Sequence, residues 1–531
     1  MGLKFSKNIQ KEVKKNKDFG ISFRKKDLLN TLKESVRGVK GDSFNPAWSL
    51  VLLFVLFLSV FCFLIFHISK LQVVEGEVML ERSKNNQLRI REDKALRGVI
   101  LDRNGNLLAK NVSSMNVYLS VERYLDKKGY VDTEALEKAC DTLGGIIGDL
   151  WKEENPGEES KYLSLSEKVY STYEANTYFT EILIAKNIND DMAIKIKASA
   201  NELLGVYVDR GSKREYPQGE AFSHILGYTG TVTAEDLKKL EYADSTDTVG
   251  RIGLEKQYDE ELIGEDGEIA WEVDSMGRTV EKEGYTLKES VAGKNLYLSI
   301  DIDTQKKLYE LMEKAVVDYK AIGGAAIIED VNTGELLALV ANPGYDNNLF
   351  VGGISQNQYN ELLNNPRNPL LNRSIAAQMP PGSTFKTIVA AGGLEAGVLT
   401  KNTVYVSRAG YTFTGGAPFQ EYGNNSYGPL NLIDAISVSS NIYFCEMIRR
   451  WNMDALVPYI EKFGIGKYTE IDIPGEAPGR LPSPANKIEL AKTSPWLEPV
   501  WYPEGDSCNS VIGQGITLVT PIQMANWTAA I

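Results

Sequence analysis

Histidine is nearly absent from this chain: its 531 residues include only His67 and His224. That leaves almost no room for a histidine-based catalytic triad or a histidine-rich metal site. Cysteine is scarce as well, with single residues at Cys62, Cys140, Cys445 and Cys508. Their wide spacing predicts neither a metal site, nor a redox pair, nor a disulfide framework. Any nucleophile must therefore be activated by another base, and lysine is the natural candidate.

One long stretch, from Ala47 to Phe66, contains no charged side chain. Twenty helical residues span about 30 Å, which is the thickness of a bilayer core. A cleaved signal peptide is the alternative, but its apolar region is shorter and begins nearer the N-terminus, and residues 67–70 make a poor cleavage site. The sequence therefore predicts a transmembrane helix over residues 47–67.

Charge is distributed unevenly on the two sides of this stretch. Residues 1–46 hold twelve Lys and Arg against five Asp and Glu, a net charge of +7. Because the whole chain carries −13, the remainder carries −20. Positively charged flanks stay in the cytoplasm, so we predict a single-pass cell-membrane protein with a cytoplasmic N-terminus and a large extracytoplasmic part. An acidic exterior argues against binding of nucleic acid, whose phosphates require a basic surface.

A short segment, residues 380–386, places a hydroxyl and an amine three residues apart. Pro381 cannot continue a helix backwards and Gly382 tolerates a sharp turn, so a helix is expected to begin here. Residues at i and i+3 share a helix face, which brings Lys386 within reach of the Ser383 hydroxyl. This is the arrangement of a serine nucleophile activated by a lysine. The alternative is an ordinary helix start that Ser383 caps.

Patterns along the chain outline the fold. An apolar run, an Asn-Gly turn and a second apolar run predict a hairpin over residues 97–109. Residues 132–213 are predicted to be mainly helical. Beyond residue 290, a helical pattern over Thr304–Tyr319 precedes two apolar strands, 323–329 and 336–341, joined by a turn at Asn332-Thr333-Gly334. This order predicts an α+β fold in which helices pack on an antiparallel sheet.

Short motifs in a fixed order carry a resemblance to one family. Arg97 to Gly105 matches the signature Arg-Gly-x-Ile-x-Asp-Arg-Asn-Gly, and residues 214–217 and 253–255 match further motifs of the same family. Residues 381–386 match its first active-site motif, and Ser439-Ser440-Asn441 matches its second motif, Ser-x-Asn, fifty-six residues after Ser383. Residues 513–515 and 520–525 match the stretch before its third motif. The chain thus resembles class B penicillin-binding proteins, membrane-anchored D,D-transpeptidases that cross-link peptidoglycan, and most of all their elongation type, penicillin-binding protein 2.

Two of the other Ser-x-Asn segments have the wrong context. Residues 43–45 lie on the predicted cytoplasmic side, and residues 507–509 lie too far from Ser383 and too close to Gly513. The resemblance implies four parts: a basic cytoplasmic tail (1–46), a transmembrane helix (47–67), a mixed α/β pedestal or dimerisation domain (68–290) and a serine-acyltransferase domain of the penicillin-binding and β-lactamase-like type (291–531).

The resemblance also implies a role for each residue of the site. Ser383 would be the nucleophile and Lys386 its general base. Ser439 would relay a proton to or from the leaving and entering amines, and Asn441 would hydrogen-bond Lys386 and the substrate amide. The backbone N–H of Ser383 would be one oxyanion donor. A lysine acts as a base near neutral pH only if its pKa falls by about three units, and burial among apolar neighbours is the expected cause. No metal or organic cofactor is implied.

The chain departs from the family in one respect, because the third motif, Lys-Thr/Ser-Gly, does not occur before Ile531. We expect this motif beyond Ile531, in a longer protein of which this sequence is a C-terminally truncated form. The family takes the second oxyanion donor and the group that binds the substrate carboxylate from that strand. The 531-residue chain alone is therefore expected to be inactive.

The implied partners are stem peptides that end in D-Ala-D-Ala, β-lactam antibiotics, and a SEDS-family glycosyltransferase contacted through the membrane helix and the pedestal. Residues 496–506, rich in aromatic side chains, favour a role in elongation and cell shape. Two alternatives keep the same fold: a penicillin-binding sensor or low-affinity resistance protein, and a non-catalytic scaffold that activates a glycan polymerase. A class D β-lactamase would not need the pedestal, and a class A enzyme would need a glycosyltransferase domain after the membrane helix. The two intact motifs favour a transpeptidase.

Overall fold

The computed structural model describes residues 46–69, 88–126, 130–148, 165–175, 181–233, 235–240, 247–272, 284–413 and 418–531. The predicted cytoplasmic tail lies outside these residues, apart from Pro46. The chain divides into two compact units, of which one comprises residues 1–90 and 270–284 and the other comprises residues 91–269 and 285–531.

Helix α1 (Pro46–Ser69) is the one helix of the described residues that is long and apolar enough to cross a membrane. Its 24 residues rise through about 36 Å, which exceeds the apolar thickness of a bilayer. Its side chains from Val51 to Ser69 are exposed. By length and composition, α1 agrees with single-pass membrane anchoring at the predicted position.

The described part of residues 88–298 alternates strands and short helices. The strands are β1 (Leu88–Asp93), β2 (Ile100–Leu101), β3 (Leu107–Ser120), β4 (Glu181–Ile188), β5 (Val206–Glu215), β6 (Thr229–Thr231), β7 (Thr248–Gly250), β8 (Gly267–Glu272), β9 (Tyr285–Lys288) and β10 (Leu296–Tyr297). The helices are α2 (Thr133–Ile147), α3 (Leu165–Ala175), α4 (Asp190–Ala198), α5 (Ser223–Leu226), α6 (Asp236–Lys239), α7 (Gly253–Gln257) and α8 (Asp259–Ile263), with 3₁₀ turns at Val121–Tyr124 and Gly219–Phe222.

The long strand β3 organises the main sheet of this region, whose strand order is β10-β2-β3-β4, with β5 also paired to β3. The predicted hairpin is confirmed, because Ile100 on β2 lies opposite Ala109 on β3 in an antiparallel pair. Asp102 closes its turn by accepting hydrogen bonds from the backbone N–H groups of Asn104 and Asn106 at 2.9 and 2.8 Å. Such side-chain closure of a turn is typical of aspartate.

The prediction that residues 132–213 are mainly helical is wrong for two segments. Helices α2, α3 and α4 are present, but β4 and β5 are strands of the main sheet. Strand β5 pairs with β3 from Val206 opposite Leu119 to Glu215 opposite Lys110. A distant partner strand, rather than local propensity, decides the conformation here. In β4, the alternation of the buried residues Ile182 and Ile184 is too short for the sequence to indicate a strand.

A buried ion cluster joins three of the sequence motifs of this region. Glu255 on α7 is fully buried, and its carboxylate accepts hydrogen bonds from Arg97 Nε at 2.6 Å and from Arg214 Nε at 2.7 Å. Asp259 lies 2.7 Å from Arg97 Nη1, and the Tyr216 hydroxyl donates to Glu255 at 3.2 Å. Burial alone would raise the pKa of Glu255, but the two guanidiniums outweigh burial and hold that pKa below its ordinary value.

The described residues after 298 form the α+β region. Its strands are β11 (Gly324–Glu329), β12 (Leu336–Asn342), β13 (Tyr405–Ser407), β14 (Gly410–Thr412), β15 (Pro418–Gln420) and β16 (Gly428–Leu430). Its helices are α9 (Ile302–Asp318), α10 (Gln356–Asn364), α11 (Arg373–Ala376), α12 (Lys386–Glu395), α13 (Leu432–Ser437), α14 (Asn441–Arg450), α15 (Met453–Glu461), α16 (Pro484–Thr493), α17 (Gly505–Val511) and α18 (Pro521–Ala530), with 3₁₀ turns at Asn347–Phe350, Gly382–Phe385 and Tyr422–Asn424.

The predicted helix and hairpin of this region are confirmed. Helix α9 precedes the antiparallel pair β11–β12, in which Gly324 lies opposite Asn342, and α9 packs on both strands. The prediction of an α+β fold with helices on an antiparallel sheet is therefore confirmed. A second layer of helices, centred on α12 and α14, buries the apolar side chains of Phe385, Ile388, Tyr443 and Phe444.

The cysteines correct one expectation from the sequence, which predicted no disulfide framework. Cys445 on α14 and Cys508 on α17 form a disulfide, and both residues are fully buried. Their separation of 63 residues gives no signal in the spacing of cysteines, so only the packing of α14 against α17 reveals the pair. Cys140 is buried and Cys62 exposed, both as free thiols.

We expect Glu255→Ala to destabilise the fold strongly, because it leaves two buried guanidiniums without their shared carboxylate. Breaking a buried ion pair on one side costs about 3–5 kcal/mol. Chemical denaturation of the detergent-solubilised chain measures this loss. The matched control is Glu235→Ala, which removes an exposed i,i+4 pair with Lys239 and should leave the unfolding midpoint unchanged. Equal midpoints for the two variants would contradict a structural role for the cluster.

Candidate active site

The segment 381–386 forms a tight turn that leads into α12. Gly382 has φ +59°, a conformation open mainly to glycine, and a 3₁₀ turn over Gly382–Phe385 continues into α12 at Lys386. Ser383 is exposed, whereas Lys386 is only 2% exposed. The Lys386 amine lies 3.2 Å from the Ser383 hydroxyl oxygen. Ser383 lies inside the 3₁₀ turn and is the N-cap neither of the turn, where Pro381 holds that position, nor of α12, where Phe385 holds it. The structure therefore favours the serine–lysine interpretation over the capping one.

The Lys386 amine is surrounded by oxygen acceptors. Its Nζ lies 2.6 Å from the Ser439 carbonyl oxygen, 3.1 Å from Ser439 Oγ and 2.7 Å from Asn441 Oδ1, and 6.0 Å from the centre of the Phe444 ring. Burial lowers the pKa of Lys386 to about 8, against a smaller opposing effect of the negative charge on Glu421. Burial disfavours the charged ammonium. A fraction of the molecules near neutral pH therefore carries an uncharged amine that can accept a proton.

Ser439 owes its orientation to an uncommon backbone conformation. It lies in the turn between α13 and α14 with φ +54°, a region that residues other than glycine seldom occupy and that recurs at functional sites. The next residue, Ser440, caps α14 by accepting from the backbone N–H of Tyr443 at 3.1 Å. The turn directs both the carbonyl and the hydroxyl of Ser439 to Lys386.

Asn441 is the first residue of α14, and its amide contacts both sides of the site. Its Nδ2 donates to the Gln420 carbonyl oxygen at 2.9 Å, which leaves Oδ1 to accept from Lys386. The structure thus brings Ser383, Lys386, Ser439 and Asn441 together, from segments fifty-six residues apart in sequence. Their catalytic roles remain predictions.

Glu421 is a residue of the site that the sequence did not point to. It lies between β15 and the 3₁₀ turn at Tyr422–Asn424, and it is 3% exposed. Its carboxylate contacts the N-terminus of α14, where it accepts from the Asn441 backbone N–H at 2.6 Å and from the Ser440 hydroxyl. Twenty residues separate Glu421 from Asn441, and no local motif marks it.

The segment before the predicted third motif lies against the turn that carries Ser383. The backbone N–H of Gly382 donates to the Gly513 carbonyl oxygen at 2.9 Å, and Met379 and Val519 exchange two backbone hydrogen bonds. A Cβ on Gly513 would stand 2.3 Å from the Gly382 carbonyl oxygen, so this close approach requires glycine. The Ser-x-Asn segment at residues 507–509 lies in α17, where Cys508 forms the disulfide.

The described residues contain no group of three or more His, Cys, Asp or Glu side chains arranged to hold a metal ion. An exposed alcohol, a buried amine with a lowered pKa, a second hydroxyl and an oriented amide are suited to nucleophilic acyl transfer.

Comparison with known proteins gives two matching family models. The penicillin-binding protein dimerisation domain matches residues 92–298, and the penicillin-binding protein transpeptidase domain matches residues 324–531. The chain is 30% identical to peptidoglycan D,D-transpeptidase MrdA of Haemophilus influenzae over 471 residues, and 30% identical to MrdA of Escherichia coli strain K12 over 472 residues. Each alignment covers 87% of this chain, and they cover 66% and 68% of the two relatives.

A solved structure is similar as well. In the complex between penicillin-binding protein 2 and MreC from Helicobacter pylori, the matching chain has a TM-score of 0.67 and 28% identity, over 82% of this chain and 76% of that one. Fold and site thus define this chain as a member of the penicillin-binding proteins, with both their dimerisation and their transpeptidase domains. Within that family it is similar to MrdA and to penicillin-binding protein 2, so the predicted class is confirmed. These similarities support a function in cell-wall transpeptidation.

Proposed function

We propose that the full-length protein is a serine-type D,D-transpeptidase that cross-links peptidoglycan stem peptides, in support of elongation and cell shape. The observation that carries this proposal is the 3.2 Å contact between the buried Lys386 amine and the exposed Ser383 hydroxyl. An exposed alcohol can reach a large polymeric substrate, while burial keeps its base partly uncharged. The matched relatives, named peptidoglycan D,D-transpeptidases, support the substrate class.

The reaction proceeds in two transfers. Ser383 Oγ attacks the carbonyl carbon of the peptide bond between two terminal D-alanines, and Lys386 accepts the hydroxyl proton. The C–N bond then breaks, and Ser439 passes a proton to the amine of the departing D-alanine. The rest of the stem peptide remains bound to Ser383 as an acyl ester. An amine of a second stem peptide attacks this ester and gives up a proton, a new amide bond forms, and the Ser383 oxygen regains its proton.

Two groups orient the substrate in this scheme. Asn441 Oδ1 contacts Lys386 at 2.7 Å, and the resemblance assigns to the Asn441 side chain a hydrogen bond with the substrate amide. The backbone N–H of Ser383, at the turn that begins α12, is one donor to the oxyanion that forms at the attacked carbonyl. The resemblance assigns the second donor, and the group that binds the terminal carboxylate, to the strand of the family's third motif.

The protein is oriented with residues 1–46 in the cytoplasm and the catalytic region outside. The net charge of +7 before α1 supports this orientation. The disulfide between Cys445 and Cys508 also supports it, because disulfides persist in oxidising compartments and seldom in the cytosol.

The membrane helix and the pedestal contact a SEDS-family glycosyltransferase, so that polymerisation and cross-linking take place in one complex. Exposure of the α1 side chains over 51–69 supports a surface available to a membrane partner. The similar structure from Helicobacter pylori is a complex with MreC, which makes an MreC-type protein a second candidate partner. Co-purification of the glycosyltransferase with the full-length protein should disappear when α1 is replaced by an unrelated membrane helix. Unchanged co-purification would contradict contact through α1.

Covalent labelling tests both the nucleophile and the orientation. A membrane-impermeant fluorescent penicillin, applied to spheroplasts that express the full-length protein, should label the wild type and not Ser383→Ala. Lys386→Ala should lower the labelling rate by about 10²–10⁴-fold, which is the usual contribution of a general base. Ser507→Ala, in the Ser-x-Asn segment at residues 507–509, is the matched control and should retain labelling.

Two results of this experiment would contradict the proposal. Labelling of Ser383→Ala would reject Ser383 as the nucleophile, and labelling only after the membrane is broken would reject the orientation. Release of D-alanine from a stem-peptide substrate then separates a transpeptidase from a protein that only binds penicillin. A labelled protein that releases no D-alanine would be a sensor or a resistance protein.

A further inference from the structure

The carboxylate of Glu421 is buried at the start of the helix that carries Asn441. Its two oxygens accept from four donors: the Ser407 hydroxyl at 2.7 Å, the Ser440 hydroxyl, and the backbone N–H groups of Asn441 at 2.6 Å and Ile442 at 3.3 Å. Two of these donors are backbone N–H groups, which can only donate, so the carboxylate is the acceptor at the start of α14. A salt bridge to Glu421 is not found within the described part of the chain.

Negative charge is stabilised at this position because the first amides of a helix are unpaired and the helix dipole is positive there. Helix α14 spans ten residues, and Glu421 satisfies the N–H groups of its first two. The hydroxyl of Ser440, itself the cap of the helix, also donates to Glu421. Glu421 thus fixes the first turn of α14 and the cap residue together.

From Glu421, hydrogen bonds lead to the lysine through one intermediate residue. The neighbouring Gln420 accepts from Asn441 Nδ2 at 2.9 Å, while Glu421 accepts from the Asn441 backbone. Gln420, the last residue of β15, and Glu421 after it therefore fix both the position of Asn441 and the orientation of its amide. Asn441 Oδ1 then faces Lys386 at 2.7 Å. No hydrogen bond joins Glu421 to Lys386 among the described residues.

We propose that Glu421 is a positioning residue of the site, which holds the start of α14 so that Asn441 and the Ser439 turn face the Lys386 amine. The proposal rests on the transpeptidase function proposed above. It assigns Glu421 no contact with substrate. Its carboxylate holds Asn441 in position by a hydrogen bond. Its charge acts on Lys386 without a direct contact.

The charge of Glu421 gives this role a signature that simple structural support lacks. Its negative charge opposes the fall in the pKa of Lys386 that burial causes. The groups in contact with the lysine amine are uncharged: Ser383, Ser439, Asn441 and the Phe444 ring. The groups that face Glu421 from β13 and α14 are also uncharged, namely Ser407, Ser440, Asn441 and Ile442.

The experiment measures the second-order rate of penicillin acylation against pH in the full-length protein, with thermal unfolding recorded in parallel. In Glu421→Gln the amide nitrogen cannot accept a hydrogen bond, so at least one donor at the start of α14 loses its partner. We expect acylation at pH 8 to fall by about 10–100-fold, as the Asn441–Lys386 contact loosens. We also expect the acidic limb of the profile to move down by about one pH unit, because a negative charge near the amine is gone.

Two further variants make the result decisive. Glu421→Asp keeps the charge and should keep the acidic limb at the wild-type pH, at a reduced rate. Glu446→Gln is the matched control on the same helix, since Glu446 pairs with Arg449 and Arg450 and contacts none of the four site residues. It should lower the unfolding temperature and leave the acidic limb in place. Charges elsewhere in the protein are common to all variants, so the difference isolates Glu421.

Two outcomes would overturn the proposal. One is a wild-type rate and profile in Glu421→Gln. The other is a loss of stability in Glu421→Gln with an unmoved acidic limb, as in Glu446→Gln. If Glu421→Gln does not fold, an acidic limb displaced in Glu421→Asp overturns the proposal, and an unmoved limb at a reduced rate supports it. Labelling of Ser383→Ala would instead count against the transpeptidase function, independently of Glu421.

Discussion

The Lys386 amine is buried among four oxygen acceptors. Burial and the acceptors have opposite effects on the charge of the amine, and the chemistry of the site depends on which effect is larger. Hydrogen bonds from the ammonium to Ser383, Ser439 and Asn441 favour the charged form, whereas burial favours the neutral form. The pKa of Lys386 falls to about 8, so the effect of burial is the larger of the two. The same acceptors fix the amine in space, so the proton of Ser383 has a defined destination.

The rest of the catalytic region can be understood as a frame around this amine. The turn at Gly382 exposes Ser383 and buries Lys386, and the close approach of Gly513 supports that turn from behind. Helix α14 supplies Asn441 at its first residue, and the disulfide from Cys445 joins the same helix to α17. Each contact joins segments that are distant in sequence, so the site is a product of tertiary packing.

Sequence reasoning succeeded where the determining interaction is local or strongly periodic. The i,i+3 relation of Ser383 and Lys386, the apolar stretch of α1 and the Asn-Gly hairpin near Asn104 all follow from spacing within one turn or one segment. It failed where the structure is determined by a residue that is distant along the chain. Strands β4 and β5 exist because β3 pairs with them, and the disulfide spans 63 residues. Glu421 carries no motif, since its partners lie 14 to 21 positions away along the chain.

The most direct test of this account is a titration of the Lys386 amine itself. NMR of the full-length protein with ¹³C-labelled lysine, in detergent micelles, follows the ε-methylene shift against pH, and loss of one resonance in Lys386→Arg assigns it. We expect a midpoint near the pKa of about 8 that burial gives Lys386. A midpoint at the ordinary lysine value, about 10.4, would mean that the amine stays charged under working conditions, and it would contradict the role of Lys386 as the base.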